Sequence, residues 1–257
     1  MKNTKSKISA LLIILNESDH IEGVLNNLSF ADEIIAIDSF SNDGSFEKLK
    51  SSKKVKVYQR HFTNFADQRN FAISKAKGEW LFFMDADERI TESLRKEIIR
   101  VTNETDSHDV YKLKRNFLVG KKRIRFSGLQ SDKVIRLFKR GVTQYCNDRF
   151  VHELVDYHGE VGLLRHKMDH YSYKNYKTYR QKAEHYGLLK AKELYKKNKR
   201  PTWFHFYIKP AYKFFINYII RLGILDGYAG YNICYLNSYG VFYRYKKLEE
   251  LFKTPPK

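Results

Sequence analysis

The chain is short of cysteine, of acid and of long apolar runs, and each shortage excludes something. Cys146 and Cys234, the two cysteines in 257 residues, make no disulfide framework and have no metal-site spacing. They fit a reducing compartment, as buried small hydrophobes. No apolar run is long enough to span a bilayer; the best, Phe214 to Leu225, is interrupted by Asn217 and Arg221. Lys2, Lys5 and Lys7 before Ile8–Leu15 imitate a signal peptide. Asn16-Glu17-Ser18-Asp19 follows with no small-residue cleavage site, so the run reads as a first buried strand. The expected location is cytoplasmic, with peripheral contact at the inner face of the plasma membrane. No internal repeat or low-complexity tract is present. Acid is scarce: 29 Asp and Glu against 48 Lys and Arg give a net charge of +19. Such a surplus calls for an anionic partner: nucleic acid, nucleotide or anionic lipid. The 42% hydrophobic and 15% aromatic content excludes general disorder and allows one substantial core with a smaller appendage.

What is present is concentrated in one run, Trp80-Leu-Phe-Phe-Met-Asp85-Ala-Asp87-Glu88. An apolar strand ends abruptly in three carboxylates, two of them spaced Asp-x-Asp. Open α/β sheets bind ligands at the carboxyl ends of their strands. Oxygen ligands of this kind suit Mg2+ or Mn2+, which would hold a diphosphate against the protein. Taken alone, the run reads better as a strand followed by a solvated acidic turn.

The order of elements decides between these. Ile8–Leu15, Glu33–Asp38, Val55–Gln59 and Trp80–Met84 read as strands. Helices are expected from Ser18 or Asp19 with Ile21, Val24, Leu25 and Leu28 inward, over Phe65–Lys77 closed by Gly78, and after a Thr91 cap with Leu94, Ile98 and Val101 inward. This alternation implies a three-layer, mostly parallel, right-handed sheet, an α/β Rossmann-like fold. Val110–Val119, a turn at Gly120-Lys121-Lys122, Arg123–Ser127 and Lys133–Lys139 add an antiparallel extension. From Tyr171 the chain reads as helical, basic and aromatic, divided at Pro201, with a last short helix over Lys246–Phe252. Residues 1–105, 106–170 and 171–257 therefore separate as a parallel half, an antiparallel half and a helical C-terminal region.

Parallel strands bring their carboxyl ends together, so the loops carrying Asn16-Glu17, Asp38–Ser45 and Asp85–Glu88 should converge. Converging carboxylates repel unless a metal or ligand hydrogen-bond donors offset them. Arg69, in Asp67-Gln-Arg-Asn70, can pair with a carboxylate or reach a phosphate.

These residues resemble family 2 glycosyltransferases of the GT-A fold. The match comprises Ile8–Glu17, Asp38-Ser-Phe-Ser-Asn-Asp-Gly-Ser45, Asp67–Asn70, Ala76-Lys-Gly78 and Asp85-Ala-Asp-Glu88. Arg136-Leu-Phe138, Val151-His-Glu153, His170-Tyr-Ser-Tyr173 and Leu225-Asp-Gly227 resemble the later motifs of bacterial lipopolysaccharide core β-1,4-glucosyltransferases. The resemblance implies an inverting, metal-dependent transfer of a hexose, glucose from UDP-glucose first, to a lipid-linked or core oligosaccharide. It implies nucleotide-sugar binding in residues 1–105 and acceptor binding in residues 106–170. It implies that Asn16, Glu17 and Asp38 face the uridine of the UDP-sugar and Arg69 holds the nucleotide. Asp85 would meet the ribose or donor sugar, and Asp87 would ligate Mg2+ or Mn2+. Many members carry two acids where this chain has Asp38-Ser39. The Gln-x-x-Arg-Trp signature of processive members is absent, which points to one sugar per acceptor.

The base must lie opposite the leaving diphosphate; Asp132, Asp148 and Glu153 are candidates, with Glu153 favoured beside His152. Eleven Lys and Arg with one acid between Tyr111 and Arg140, including Arg123, Arg125 and Arg136, are either phosphate contacts for an acceptor or solvated strand faces. Further on, lysines interleaved with Trp203, Phe204, Tyr207, Tyr212 and Phe215 suit an anionic membrane surface, though some of these rings must pack the helices. Two other readings compete. A sugar-1-phosphate nucleotidyltransferase would open with a Gly-rich phosphate loop and Lys, which Leu11–Glu17 lacks. A basic nucleic-acid-binding protein accounts for the charge but not for the converging acids, so no nucleic-acid partner is expected.

Overall fold

The computed structural model describes residues 6–120, 122–129, 133–146, 155–173 and 175–254. They divide into two compact units, Met1–Arg115 with Asp132–His170, and Asn116–Ser131 with Tyr171–Lys257. Residues 116–131, expected in the acceptor half, thus belong with the C-terminal unit.

In chain order the elements are β1 (Ile8–Ile14), α1 (Ser18–Asn27), β2 (Glu33–Asp38), α2 (Ser45–Ser51), β3 (Val55–Gln59), α3 (Phe65–Lys75), β4 (Trp80–Phe83), β5 (Glu88–Ile90), α4 (Glu92–Thr102), β6 (Val110–Val119), β7 (Lys122–Ile124), β8 (Lys133–Lys139), β9 (Thr143–Tyr145), β10 (Val155–Tyr157) and β11 (Val161–Tyr173). The main sheet runs β3-β2-β1-β4-β8-β6-β11-β5. β1 pairs parallel with β2 and β4, and β2 with β3, while β8 returns antiparallel to β4. This is the mixed α/β architecture that the element order implies.

Alternation along the strands builds two cores, one on each face. Ile8, Ala10, Leu12 and Ile14 of β1 face Ile21, Val24 and Leu28 and, from α4, Leu94, Ile98 and Val101. Leu11 and the β4 residues Leu81 and Phe83 face Ala66 and Ala72 of α3 and Tyr145. Each such fully buried aliphatic side chain contributes about 1.5–3 kcal/mol. The Thr91 side chain accepts from the Leu94 N–H at 3.2 Å and caps α4.

Three local expectations change. The N-cap of α1 is Glu17 rather than Ser18 or Asp19. Gly78 does not cap α3, which ends at Lys75. A Cβ at Gly78 would instead lie 2.6 Å from Ser9 Oγ and 2.7 Å from Ser9 N, so glycine is needed for the approach to β1. The expected helix over Lys246–Phe252 is the end of a much longer one.

The second unit contains the β7 hairpin strand and the helices α5 (Tyr176–Lys196), α6 (Trp203–Phe206), α7 (Ile208–Phe215) and α8 (Gly227–Lys253). A turn of π-helix, Ile216–Ile220, and a 3-10 turn, Gly223–Asp226, join α7 to α8. α5 and α8 meet at glycines: a Cβ on Gly187 would lie 3.2 Å from the Tyr243 ring, and one on Gly240 3.4 Å from the Ala183 Cβ. That packing sustains a 27-residue helix through a glycine- and tyrosine-rich stretch of poor intrinsic propensity.

Candidate active site

The first two loops at the carboxyl edge are tied together. Asn16, held at φ 55°, donates its N–H to Ser41 Oγ and accepts from the Asn42 N–H, each at 2.9 Å. The Glu17 N–H reaches Ser45 Oγ and the Ser18 N–H reaches Asp43 Oδ2, again at 2.9 Å. Hydrogen bonds from the Ser45 hydroxyl and the Ser18 N–H hold the Asp43 carboxyl below the usual aspartate range. Asp38 is fully buried and accepts from the Ser41 N–H at 3.1 Å and from Gln59 Nε2 at 3.2 Å. In this conformation it supports its loop and offers no oxygen to solvent.

The third loop is the Asp-x-Asp turn between β4 and β5. The Glu88 N–H donates to the Asp85 carbonyl at 3.0 Å, and the Asp85 N–H to Glu88 Oε2 at 2.9 Å. Glu88 is wholly buried. Its other oxygen accepts from Arg136 Nη2 at 2.7 Å and from Arg115 Nη1 at 3.3 Å. The same Arg136 Nη2 also donates to Asp85 Oδ2.

Arg136 is 3% exposed, so it is neither a phosphate contact on an open face nor a solvated strand residue. The reason is a register shift: Tyr111 and Lys112 of β6 pair with Leu137 and Ile135 of β8, leaving Arg136 between them as an extra residue. A bulge of this kind breaks the alternation and re-aims a side chain.

Arg69 reaches the same carboxylate from α3. Its Nη2 lies 3.7 Å from Asp85 Oδ1, its Nη1 donates to the Tyr145 hydroxyl at 3.3 Å, and its guanidinium stacks over the Phe83 and Tyr145 rings. Burial opposes ionisation of Asp85, but Arg136 and then Arg69 outweigh it and hold the carboxyl well below the usual range. In turn, burial works against the Arg136 charge, while Asp85 and Glu88 more than restore it. Asp85 still leaves 38% of its side chain accessible. It is therefore an ionised acceptor held between two cations and open on one side.

Asp87 faces elsewhere. β5 pairs antiparallel with β11, placing His170 opposite Glu88, and from there His170 Nε2 lies 3.4 Å from Asp87 Oδ2. These two form a nitrogen–oxygen donor pair. No group of three or more potential metal ligands occurs among the described residues. A divalent cation here would draw its remaining ligands from a diphosphate and water, as small, hard cations commonly do. The donor set fits that use.

Residue by residue, Asn16, Glu17 and Asp38 stand on the first two loops, and Arg69, Asp85 and Asp87 around the third. Glu153 and His152, with the alternatives Asp132 and Asp148, lie outside the described residues. Sequence reasoning gave no role to Glu88, His170 or Arg115, and left Arg136 between two surface roles. His170 was visible only as part of a motif. A cleft lined by Lys7, Lys77, Glu79, Lys139 and Arg140 lies at the opposite, amino-terminal end of β1 and β4.

The family model for Glycosyl transferase family 2 matches residues 9–171. The chain belongs to glycosyltransferase family 2. As a member of that family it is a glycosyltransferase, which replaces both the nucleotidyltransferase and the nucleic-acid readings. An uncharacterized glycosyltransferase from Rickettsia bellii is 27% identical over 95% of this chain and 87% of its own length. The lipopolysaccharide core biosynthesis glycosyltransferase LpsC from Rhizobium meliloti is 25% identical over 94% of each chain. A mannosyltransferase from Pyrobaculum calidifontis, solved with GDP-Man and Mn2+, superposes with a TM-score of 0.50 at 14% identity, over 99% of this chain and 77% of that one. The last likeness shows the GT-A fold.

Proposed function

We propose that this family 2 glycosyltransferase moves one hexose, glucose from UDP-glucose first, to a lipid-linked lipopolysaccharide core oligosaccharide, with inversion. The observation that carries the reading is the Asp-x-Asp turn: two neighbouring carboxylates given opposite tasks by their partners. Asp85, kept ionised by Arg136 and Arg69, accepts a hydroxyl of the ribose or donor sugar. Arg69 adds positive charge beside the nucleotide, and the interlocked loops of Asn16, Glu17 and Asp38 shape the base pocket. A divalent cation held by Asp87 and His170 would supply charge neutralisation for the diphosphate. With a nitrogen donor in the set, Mn2+ suits better than Mg2+.

The acceptor oxygen attacks the anomeric carbon as the bond to the diphosphate breaks, and Glu153 takes the hydroxyl proton. The likeness to LpsC supports the class of acceptor. The nucleotide stays open to other bases, since the fold neighbour holds GDP-Man.

Turnover of UDP-glucose with Mn2+, with and without acceptor, tests the reading. Asp87→Asn should lower transfer about a hundredfold or more and weaken the response to added Mn2+ while the fold is kept. Glu153→Gln should abolish transfer yet leave UDP-glucose binding by thermal shift intact. A folded Asp87→Asn enzyme with wild-type turnover and metal response would remove the assignment.

A further inference from the structure

The second unit carries a surface with both outward apolar side chains and a surplus of cations. Between Leu194 and Leu225 there are seven Lys or Arg and no Asp or Glu. Within the same stretch, large apolar side chains point outward. Ile219, Ile220, Leu222, Ile224 and Leu225 are all exposed around the junction of α7 and α8, with Ile220 at 61% and Leu225 at 64%. Trp203, Tyr207, Tyr212 and Tyr228 are exposed in the elements that flank this tip. Isolated exposed hydrophobics are ordinary, but a contiguous set is a binding surface.

The tip is built to hold its shape. The Arg221 N–H donates to the Ile216 carbonyl at 2.8 Å, and the Leu222 and Leu225 N–H groups to the carbonyls of Ile219 and Leu222 at 3.0 Å. Three backbone N–H groups of the tip are thus satisfied within the segment, which lowers the cost of entering an apolar phase. Behind it, the buried Asp226 carboxylate accepts from the Arg125 and Phe126 N–H groups at 2.9 Å and from Ser127 Oγ at 3.0 Å. Gly223 is buried where a Cβ would lie 2.8 Å from Cys234 Sγ. Cations also gather nearby. Burial first, then Arg221 and Arg244, hold the Lys213 ammonium below the usual lysine range.

We infer that Trp203–Tyr228 is a docking surface for an anionic lipid bilayer, with the aliphatic side chains of Ile219–Leu225 as its inserting tip. Aliphatic groups at the tip, amphipathic rings beside them and an unbroken excess of cations match the acyl boundary, the headgroup level and the surface charge of such a membrane. A second copy of the chain fits worse. An isologous contact through this face would set Lys209, Lys213 and Arg221 against their own copies. The inference deepens the proposal of a lipid-linked acceptor, and its test is independent of sugar transfer.

The full chain is floated with phosphatidylcholine vesicles or with vesicles of equal parts phosphatidylcholine and phosphatidylglycerol, at low and high salt. Of its two tryptophans, Trp80 is 1% and Trp203 68% exposed, so a vesicle-induced blue shift reports on Trp203. At low salt the anionic vesicles should carry at least about tenfold more protein than the neutral ones, with a blue shift, and high salt should weaken both. Ile220→Asp combined with Leu225→Asp should lower binding by about tenfold or more and remove the shift. UDP-glucose hydrolysis without vesicles should stay at the wild-type level, and its absence in both proteins would count against the transferase proposal alone. No binding to anionic vesicles at low salt, or equal binding by the double variant, overturns the inference. So does a wild-type dimer in light scattering that the double variant converts to monomer, which would assign the face to a second copy.

Discussion

The Asp-x-Asp turn in one unit and the cationic stretch Leu194–Leu225 in the other treat charge in opposite ways. Around the turn, buried charge is answered inside the protein: Glu88 by Arg136 and Arg115, Asp85 by Arg136 and Arg69, while Asp87 stands beside His170. The stretch holds seven cations and no acid of its own, and its apolar side chains face outward. Burial explains the difference. A charge removed from water needs a protein partner, and one left in water can wait for an external one. The first pattern makes a preorganised site, the second an adhesive surface.

The largest expected effect tests the internal answer. Arg136→Met strands the buried Glu88 carboxylate and should lower stability by about 3–5 kcal/mol in urea denaturation, part of which Glu88→Leu in the same chain should restore. A loss below about 1 kcal/mol would place this pair with surface ion pairs and break the comparison.

Next is pH. Because the folded-state pKa of Asp85 is depressed, its stabilising contribution is fully present above the unfolded value, about 3.9. It is lost as pH falls below that toward the folded value. The stability gap between wild type and Asp85→Asn should therefore be flat from about pH 8 to pH 5 and narrow below about pH 4. A gap that stays constant down to about pH 3 would remove this role for the Asp85 charge.

The smallest effect belongs to the cationic stretch. Lys199→Gln should change stability by no more than about 0.5 kcal/mol, while anionic-vesicle binding falls measurably at low salt. A large loss of stability there would show that the fold, rather than a partner, uses these charges.

Much of the main sheet was legible because its strands announce themselves. Glu33–Asp38, Val55–Gln59 and Lys133–Lys139 are read from sequence with the ends the structure gives them. β5 was not, since three residues straight after an acidic turn show no period. α2 was hidden in a serine-rich loop, and the first half of α8 in glycine and tyrosine, where packing against α5 overrides propensity. The site was legible as a set of acids at one sheet edge. Its cations were not: alternation assigns Arg136 a face, and the extra residue in β8 moves it off that face. No periodic signal marks a bulge in one sequence. His170 depends on the β5–β11 register, a pairing across about eighty residues that local reading cannot supply.

The Asn70 side chain takes both backbone groups of Tyr145, donating Nδ2 to the carbonyl at 2.9 Å and accepting the N–H at 3.0 Å. A primary amide held this way imitates a neighbouring peptide unit. The two-stranded β9–β10 ribbon is thereby closed at that position by a side chain from α3. It cannot recruit another strand there, and a small exposed ribbon loses a route to edge-to-edge aggregation.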